Sequence, residues 1–159
     1  MSGLDQARFR EVLGHFATGI TIVTATEEGE PVGFSCQSFS ALSMEPPMVI
    51  LAPARSSTSW PRIAQAGAFA VNILGEAQEA VCRAFAVSGG DKFDGVAWKP
   101  GAVTGSPLID GSLATLECTL GDIFDGGDHE IVTGHVVAMD IGSGSPLLFY
   151  RSGFGRFVA

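Results

Sequence analysis

Along most of this chain hydrophobic and polar positions alternate with the period of a strand, and three short stretches carry the longer period of a helix. Phe9, Val12, Leu13 and Phe16 share one helical face with Asp5 placed to cap it, so a short amphipathic helix is expected over residues 5–16, stopped at Thr18-Gly19. Residues 20–26 are β-branched or apolar at both parities, the pattern of a buried strand, and Glu27-Glu28-Gly29-Glu30 turns that strand back into Pro31. Over residues 32–43 a period of two sends Phe34, Cys36, Ser38 and Ser40 to one face and Ser35, Gln37, Phe39 and Ala41 to the other. Both faces carry polar groups, so neither is plain core. Glu45-Pro46-Pro47 interrupts the ladder because proline has no N–H to give, and residues 48–52 form the next strand.

Downstream, residues 61–66 read as one or two helical turns ended by Gly67, residues 68–74 as a strand, and residues 76–87 as a helix with Ala77, Val81, Ala84 and Phe85 on one face. In residues 113–124, Ala114, Leu116, Cys118 and Leu120 are expected to face in, and Thr115, Glu117 and Thr119 to face out. Asp125-Gly126-Gly127-Asp128 is a hairpin turn, residues 129–140 are the returning strand, and residues 146–150 and 154–158 complete the set. Recurrent strands with only short helices between them favour a mostly β, antiparallel Greek-key barrel over a parallel sheet.

A chain of 159 residues suits one domain spanning residues 1–159, able to bury about 70% of its unfolded surface. The hydrophobic share of 46% is high for that length and points to apolar surface buried between subunits, although abundant Ala and Gly raise the same figure. Net charge of −8 with nine scattered Lys and Arg argues against a nucleic-acid partner. No apolar run approaches the roughly 18 residues of a membrane span, and the N-terminus lacks the apolar core of a signal peptide, so a soluble, cytoplasmic protein is expected.

Cys36, Cys82 and Cys118 are far apart and lack metal-ligand spacing, which excludes a disulfide framework and a zinc site; they read as reduced, buried thiols, with a reactive nucleophile at Cys36 as the alternative. Walker, Gly-x-Ser-x-Gly and Gly-x-Gly-x-x-Gly motifs are absent. The chemistry concentrates instead in residues 31–60, where two short strands make a pocket wall with Gly33 at its lip and end in the hydroxyls of Ser56, Ser57, Thr58 and Ser59. Such a wall suits a flat polar ring with a phosphate tail, or is an ordinary hairpin with polar decoration. Ser57 or Ser59, just before Pro61, either caps the following helix or meets a phosphate at its N-terminus. Lys92, one of two lysines, lies beside a glycine turn where it can meet an anion.

Read end to end, the chain resembles the short-chain flavin reductases, the small components of two-component flavin-dependent monooxygenases. The resemblance rests on His15-Phe16-Ala17-Thr18-Gly19-Ile20-Thr21-Ile22-Val23-Thr24, Gly33-Phe34-Ser35-Cys36-Gln37-Ser38-Phe39, Phe69-Ala70-Val71-Asn72-Ile73-Leu74, Asp91-Lys92-Phe93, Leu116-Glu117-Cys118 and Gly127-Asp128-His129, in that order and spacing. The Cys36-Gln37 pair is similar to the reductases of aromatic and steroid-ring hydroxylases.

The resemblance implies a split β-barrel of the FMN-binding type with short flanking helices, a homodimer, and hydride transfer from NADH or NADPH to FAD or FMN, the reduced flavin passing to a separate monooxygenase. It implies that Phe34, Ser35, Cys36, Gln37 and Ser38 line the flavin ring. Ala52, Pro53, Ser57 and Ser59 would hold the ribityl and phosphate portion, Lys92 and Phe93 would close over the phosphate side, and Asp128 and His129 would meet the nicotinamide nucleotide. Beyond stacking of the two cofactors no catalytic acid, nucleophile or metal is required. His15 and His135 read as structural. Two other classes fit the same pattern: a split-barrel oxidase that keeps its flavin, and a non-catalytic barrel that binds a partner protein.

Overall fold

The structure, a computed structural model, describes residues 3–159. Asp5 caps the opening helix α1 (Gln6–Leu13), its carboxylate accepting from the Ala7 amide at 3.0 Å. A two-residue strand β1 (Thr18–Gly19) leads into β2 (Thr21–Glu27) and β3 (Glu30–Cys36), which pair through a tight turn whose two residues, Glu28 and Gly29, both have positive φ. Next come the paired strands β4 (Phe39–Met44) and β5 (Pro47–Leu51), the helix α2 (Trp60–Ala66) and β6 (Ala68–Ile73). A 3-10 turn (Glu76–Gln78) precedes α3 (Glu79–Phe85), so the helix expected over residues 76–87 is two pieces.

Strands β7 (Trp98–Pro100) and β8 (Pro107–Ile109) form a small pair that the sequence pattern did not announce. Two long strands, β9 (Ala114–Gly126) and β10 (His129–Ile141), make the expected hairpin, and β11 (Leu147–Tyr150) and β12 (Gly153–Arg156) close the chain.

Seven strands form one antiparallel sheet in the order β3-β2-β6-β9-β10-β5-β4. Its two edges are therefore consecutive in the chain and separated only by Gln37-Ser38. A sheet whose outermost strands are joined by two residues must curl until its edges meet, which makes a barrel with a split along that seam. The single strand expected over residues 32–43 is thus two strands on opposite edges.

Burial of β2 on both faces explains its apolar run. Val23 and Ala25 point into the barrel with Val49, Leu51, Phe69, Val71, Cys118 and Val132, while Ile20 and Ile22 pack outside it with Leu74, Cys82, Phe85 and Leu147 beneath α3. Trp60 and Ile63 of α2 plug one end of the barrel. Asn72, with no exposed surface, satisfies its amide by donating to Ile22 O and Thr24 Oγ1 and by accepting from the Ile109 amide, which docks the β7–β8 pair.

Two expectations need correction. Glu117 does not face solvent: it is 5% exposed, and one carboxylate oxygen accepts from the amides of Val103 and Thr104 and the Thr104 hydroxyl, so it organises the loop that folds over it. The opening helix ends at Leu13 rather than Phe16, capped by Gly14; Phe9, Val12 and Leu13 on it and Phe16 just beyond it are each more than half exposed, and the helix buries no residue in this chain.

Candidate active site

At the barrel seam, two hydrogen bonds fasten Ser38 to Ala52 at the end of β5, and a third contact ties it to Cys36 of β3. Its hydroxyl donates to Ala52 O at 2.8 Å, the Ala52 amide donates to Ser38 O at 3.0 Å, and the Cys36 thiol lies 3.5 Å from the Ser38 hydroxyl. β3, as an edge strand, leaves one side of its backbone unpaired by the sheet. Gly33 O opens to that side, where Lys92 reaches it, and the pleat puts the peptide groups of Ser35 on the same open edge.

A cavity of about 460 Å3 lies along this edge, lined by Phe34, Ser35, Cys36, Gln37, Ser38, Ala52, Pro53, Ala54, Ser57, Ala86 and His129. Its volume falls within the range of small-molecule sites, and no Asp, Glu, Lys or Arg lines it. It brings together every residue expected against the ring, with Ala52, Pro53, Ser57 and His129. Gln37, Ser38 and Ala52 also line a second, larger and mainly apolar cavity of about 620 Å3, which runs past Phe16, Thr18, Ile50 and Ile131.

The other expected residues sit next door. Lys92, Phe93, Ser59, Gly33, Thr58 and Arg62 border a neighbouring cavity of about 300 Å3, separated from the first by the Gly33–Phe34 step on one wall and Ser57–Ser59 on the other. The Lys92 ammonium donates to Gly33 O at 3.2 Å, Ser59 Oγ at 3.3 Å and Phe85 O at 3.5 Å. Among the described residues it has no carboxylate partner, and burial lowers its pKa from the ordinary lysine value. Phe93 is 9% exposed, its ring edge-on to Phe85 at 4.8 Å and to Trp98 at 5.8 Å, so it props the lysine loop from the core.

Both serine readings have a counterpart in the geometry. Ser57 Oγ accepts from the Trp60 amide at 3.1 Å, capping α2, and keeps its own hydrogen to donate toward the cavity; Ser59, at the N-cap position, caps nothing with its side chain and accepts from Lys92.

His129 begins β10 at the cavity rim, bridged antiparallel to Ala54. Its Nδ1 lies 2.7 Å from a carboxylate oxygen of Asp128, which is otherwise solvent-exposed and whose pKa that hydrogen bond lowers. Asp128 therefore sets the orientation of the ring and stays outside the cavity. The thiols lie in the protein interior. All three are buried, burial pushes Cys36 up although Ser38 hydrogen bonds oppose it, and burial with the Glu117 charge pushes Cys118 up to about 12.

Sequence reasoning missed Ala54 and Ala86, whose small side chains leave room in the cavity, and the Arg55 network described below. No sequence pattern marks an alanine as pocket-lining; Arg55, lying between Pro53 and Ser57, was open to notice.

The pattern of a flavin reductase like domain matches residues 13–157. The chain belongs to this family. Among related flavin reductases, the reductase subunit HsaB of a flavin-dependent monooxygenase from Rhodococcus jostii is 48% identical over 149 residues, 93% of this chain and 76% of that protein.

Among solved structures, that of the nitrilotriacetate monooxygenase component B homolog from Mycobacterium thermoresistibile superposes with a TM-score of 0.94 at 47% identity, covering 99% of this chain and 89% of its own. The NADH:FAD oxidoreductase SgcE6 of Streptomyces globisporus, in complex with NAD and FAD fragments, gives 0.92 at 36% identity over 97% of this chain and 93% of its own. Such agreement places this flavin reductase-like chain on the split-barrel fold of its relatives.

Proposed function

We propose that this protein is an NAD(P)H-dependent flavin reductase that reduces FAD or FMN and hands the reduced flavin to a separate monooxygenase. The observation that carries the reading is the cavity at the seam. It offers an uncharged wall built from the end of β3 and the segment after β5, with a cation one step away that has no carboxylate partner among the described residues, and a single histidine at the rim. The naming of relatives as monooxygenase reductase subunits and as an NADH:FAD oxidoreductase supports the same activity.

The wall fits a flavin. In this reading the Ser35–Ser38 edge and Ala52-Pro53 hold the ring, and Phe34 and Cys36 back that edge from the core. Ser57 donates to the phosphate, and Lys92, propped by Phe93 and Ser59, neutralises it. His129, with Asp128 fixing its orientation, hydrogen-bonds the nicotinamide nucleotide as a positioning group. Hydride passes from the nicotinamide to the flavin when the two rings lie face to face, and a proton from water completes the reduced flavin. The protein's part is to align, to keep the wall uncharged, and to release: a ring held mainly by main chain leaves readily once reduced.

The reading includes a single domain acting as a homodimer in the cytoplasm. The exposed apolar face of α1 supports the dimer, and the absence of any helix long and apolar enough to cross a membrane, among the described residues, is compatible with that location.

Steady-state oxidation of NADH and of NADPH, each with added FAD, FMN or riboflavin, tests the proposal. We expect pyridine-nucleotide oxidation that depends on added flavin, from a protein that loses its colour on dialysis. A protein that stays yellow through extensive dialysis would indicate a flavin-retaining oxidase, and a colourless protein that gives no oxidation with any flavin would indicate a binding barrel.

A further inference from the structure

His129 begins β10 at the tip of the β9–β10 hairpin, opposite Gly126 in the ladder. It pairs with Ala54 as an isolated bridge, with two backbone hydrogen bonds: the Arg55 amide donates to Asp128 O at 2.9 Å and the Glu130 amide to Pro53 O at 3.0 Å. The turn before it contains Gly127, whose φ is +78°, and the hairpin tip carries three carboxylates: Asp128 on the imidazole, and Asp125 and Glu130 as a cross-strand pair beside it. Without a neighbouring cation such a tip would be strongly anionic, which is unfavourable for meeting a dinucleotide that is itself an anion.

One guanidinium offsets that charge and ties the tip to the segment after β5. Arg55 Nε donates to Gly127 O at 2.8 Å, one terminal nitrogen pairs with Asp125, and the other reaches Glu130 Oε1 at 3.3 Å. The remaining Glu130 oxygen accepts from the buried Trp60 indole at 2.7 Å, which anchors the assembly to the start of α2. Arg55 thus grips the chain on both sides of Asp128-His129 while lying outside the residues that line the cavity. The planar fork of arginine is suited to such a three-point grip, and lysine's single ammonium is not.

We infer that Arg55 is a positioning residue for the reductase reaction: it holds the His129 turn over the cleft and offsets the turn's negative charge, setting affinity for the nicotinamide nucleotide with little effect on flavin. This rests on the role of His129 given above. Because Arg55 and Asp125 are 44% and 84% exposed, losing the guanidinium should alter stability little, and that separates positioning from a structural role.

The test compares Arg55→Met, Arg55→Lys, His129→Ala and the Arg55→Met/His129→Ala double variant by steady-state kinetics with NADH and FMN. We expect Arg55→Met to raise KM for NADH about three- to tenfold, the range of one or two lost hydrogen bonds, with kcat and KM for FMN within about twofold of the parent. Arg55→Lys, which keeps the charge but not the fork, should show most of that rise. On the His129→Ala background the Arg55 change should add almost nothing, because both act through one imidazole.

A full, independent Arg55 effect on that background would overturn the inference, as would an unchanged NADH KM in Arg55→Met while His129→Ala raises it. If His129→Ala itself leaves KM for NADH unchanged, the reading of His129 falls, and the role of Arg55 falls with it. Should Arg55→Met fold poorly, Arg55→Lys, which keeps the charge without the fork, carries the test alone; an NADH KM equal to the parent's there counts against the grip.

Discussion

Lys92 is a cation held by two carbonyls and a hydroxyl, with no anion among its partners. Its charge is carried at a cost from burial, present while the ammonium is protonated and relieved as pH rises from its lowered folded pKa toward the ordinary 10.5. A phosphate bound there would favour the proton and reverse that trend. Affinity for FMN should therefore fall as pH rises into a range below 10.5, while affinity for riboflavin, which has no phosphate, should stay level; fluorescence titration of both flavins across pH measures this. Lys92→Met should weaken FMN by about 1.5–3 kcal/mol, the worth of a hydrogen bond to a charged group, and abolish the pH trend. Equal losses for riboflavin would remove Lys92 from the phosphate.

At this scale the sequence was informative where residue type alone limits the chemistry: a lysine beside glycines, hydroxyls before a proline, a histidine after a tight turn. It failed at Glu117, because alternation along one strand cannot report that a distant loop, residues 101–104, folds over the outward face and supplies three donors.

For the elements, the instructive error is residues 32–43. Period-two patterning continues unbroken through Gln37-Ser38, so nothing local announces that β3 and β4 belong to opposite edges; only the closure of the sheet divides them. By contrast, β2 and the β9–β10 hairpin were legible because double-sided burial and a glycine-rich turn leave compositional marks. Closure also constrains β10. A Cβ built on Gly134 would stand 2.6 Å from the fully buried Phe69 ring, beside a register shift in the β9–β10 ladder. Gly134→Ala should therefore destabilise the fold by about 1–3 kcal/mol in denaturant unfolding. A loss below about 0.5 kcal/mol would mean that the Phe69 ring yields more easily than close packing implies.

Over the whole molecule, the uncovered apolar face of α1 is the feature least compatible with a solitary chain. Phe9 on the helix and Phe16 just past its end are 56% and 79% exposed, yet the helix is well formed and capped. Sedimentation of the parent protein should show a dimer. Leu13→Asp with Phe16→Asp should shift it toward monomer without loss of secondary structure, since neither side chain packs inside its own chain; a parent that sediments as a monomer would contradict the assembly. The helix and its stripe were readable from spacing, but whether the stripe faced inward or outward was not, because periodicity identifies a face without naming what covers it.

The meeting of the two sheet edges at Gln37-Ser38 has a consequence for how this surface tolerates change. Much of what it presents is peptide groups, which every amino acid carries, so substitutions along the rim alter its contour and leave its hydrogen-bonding alphabet intact. Point replacements there should be forgiven, whereas inserting one residue between Gln37 and Ser38 would shift one margin of the cleft out of step with the other and be far more damaging than any exchange of side chains.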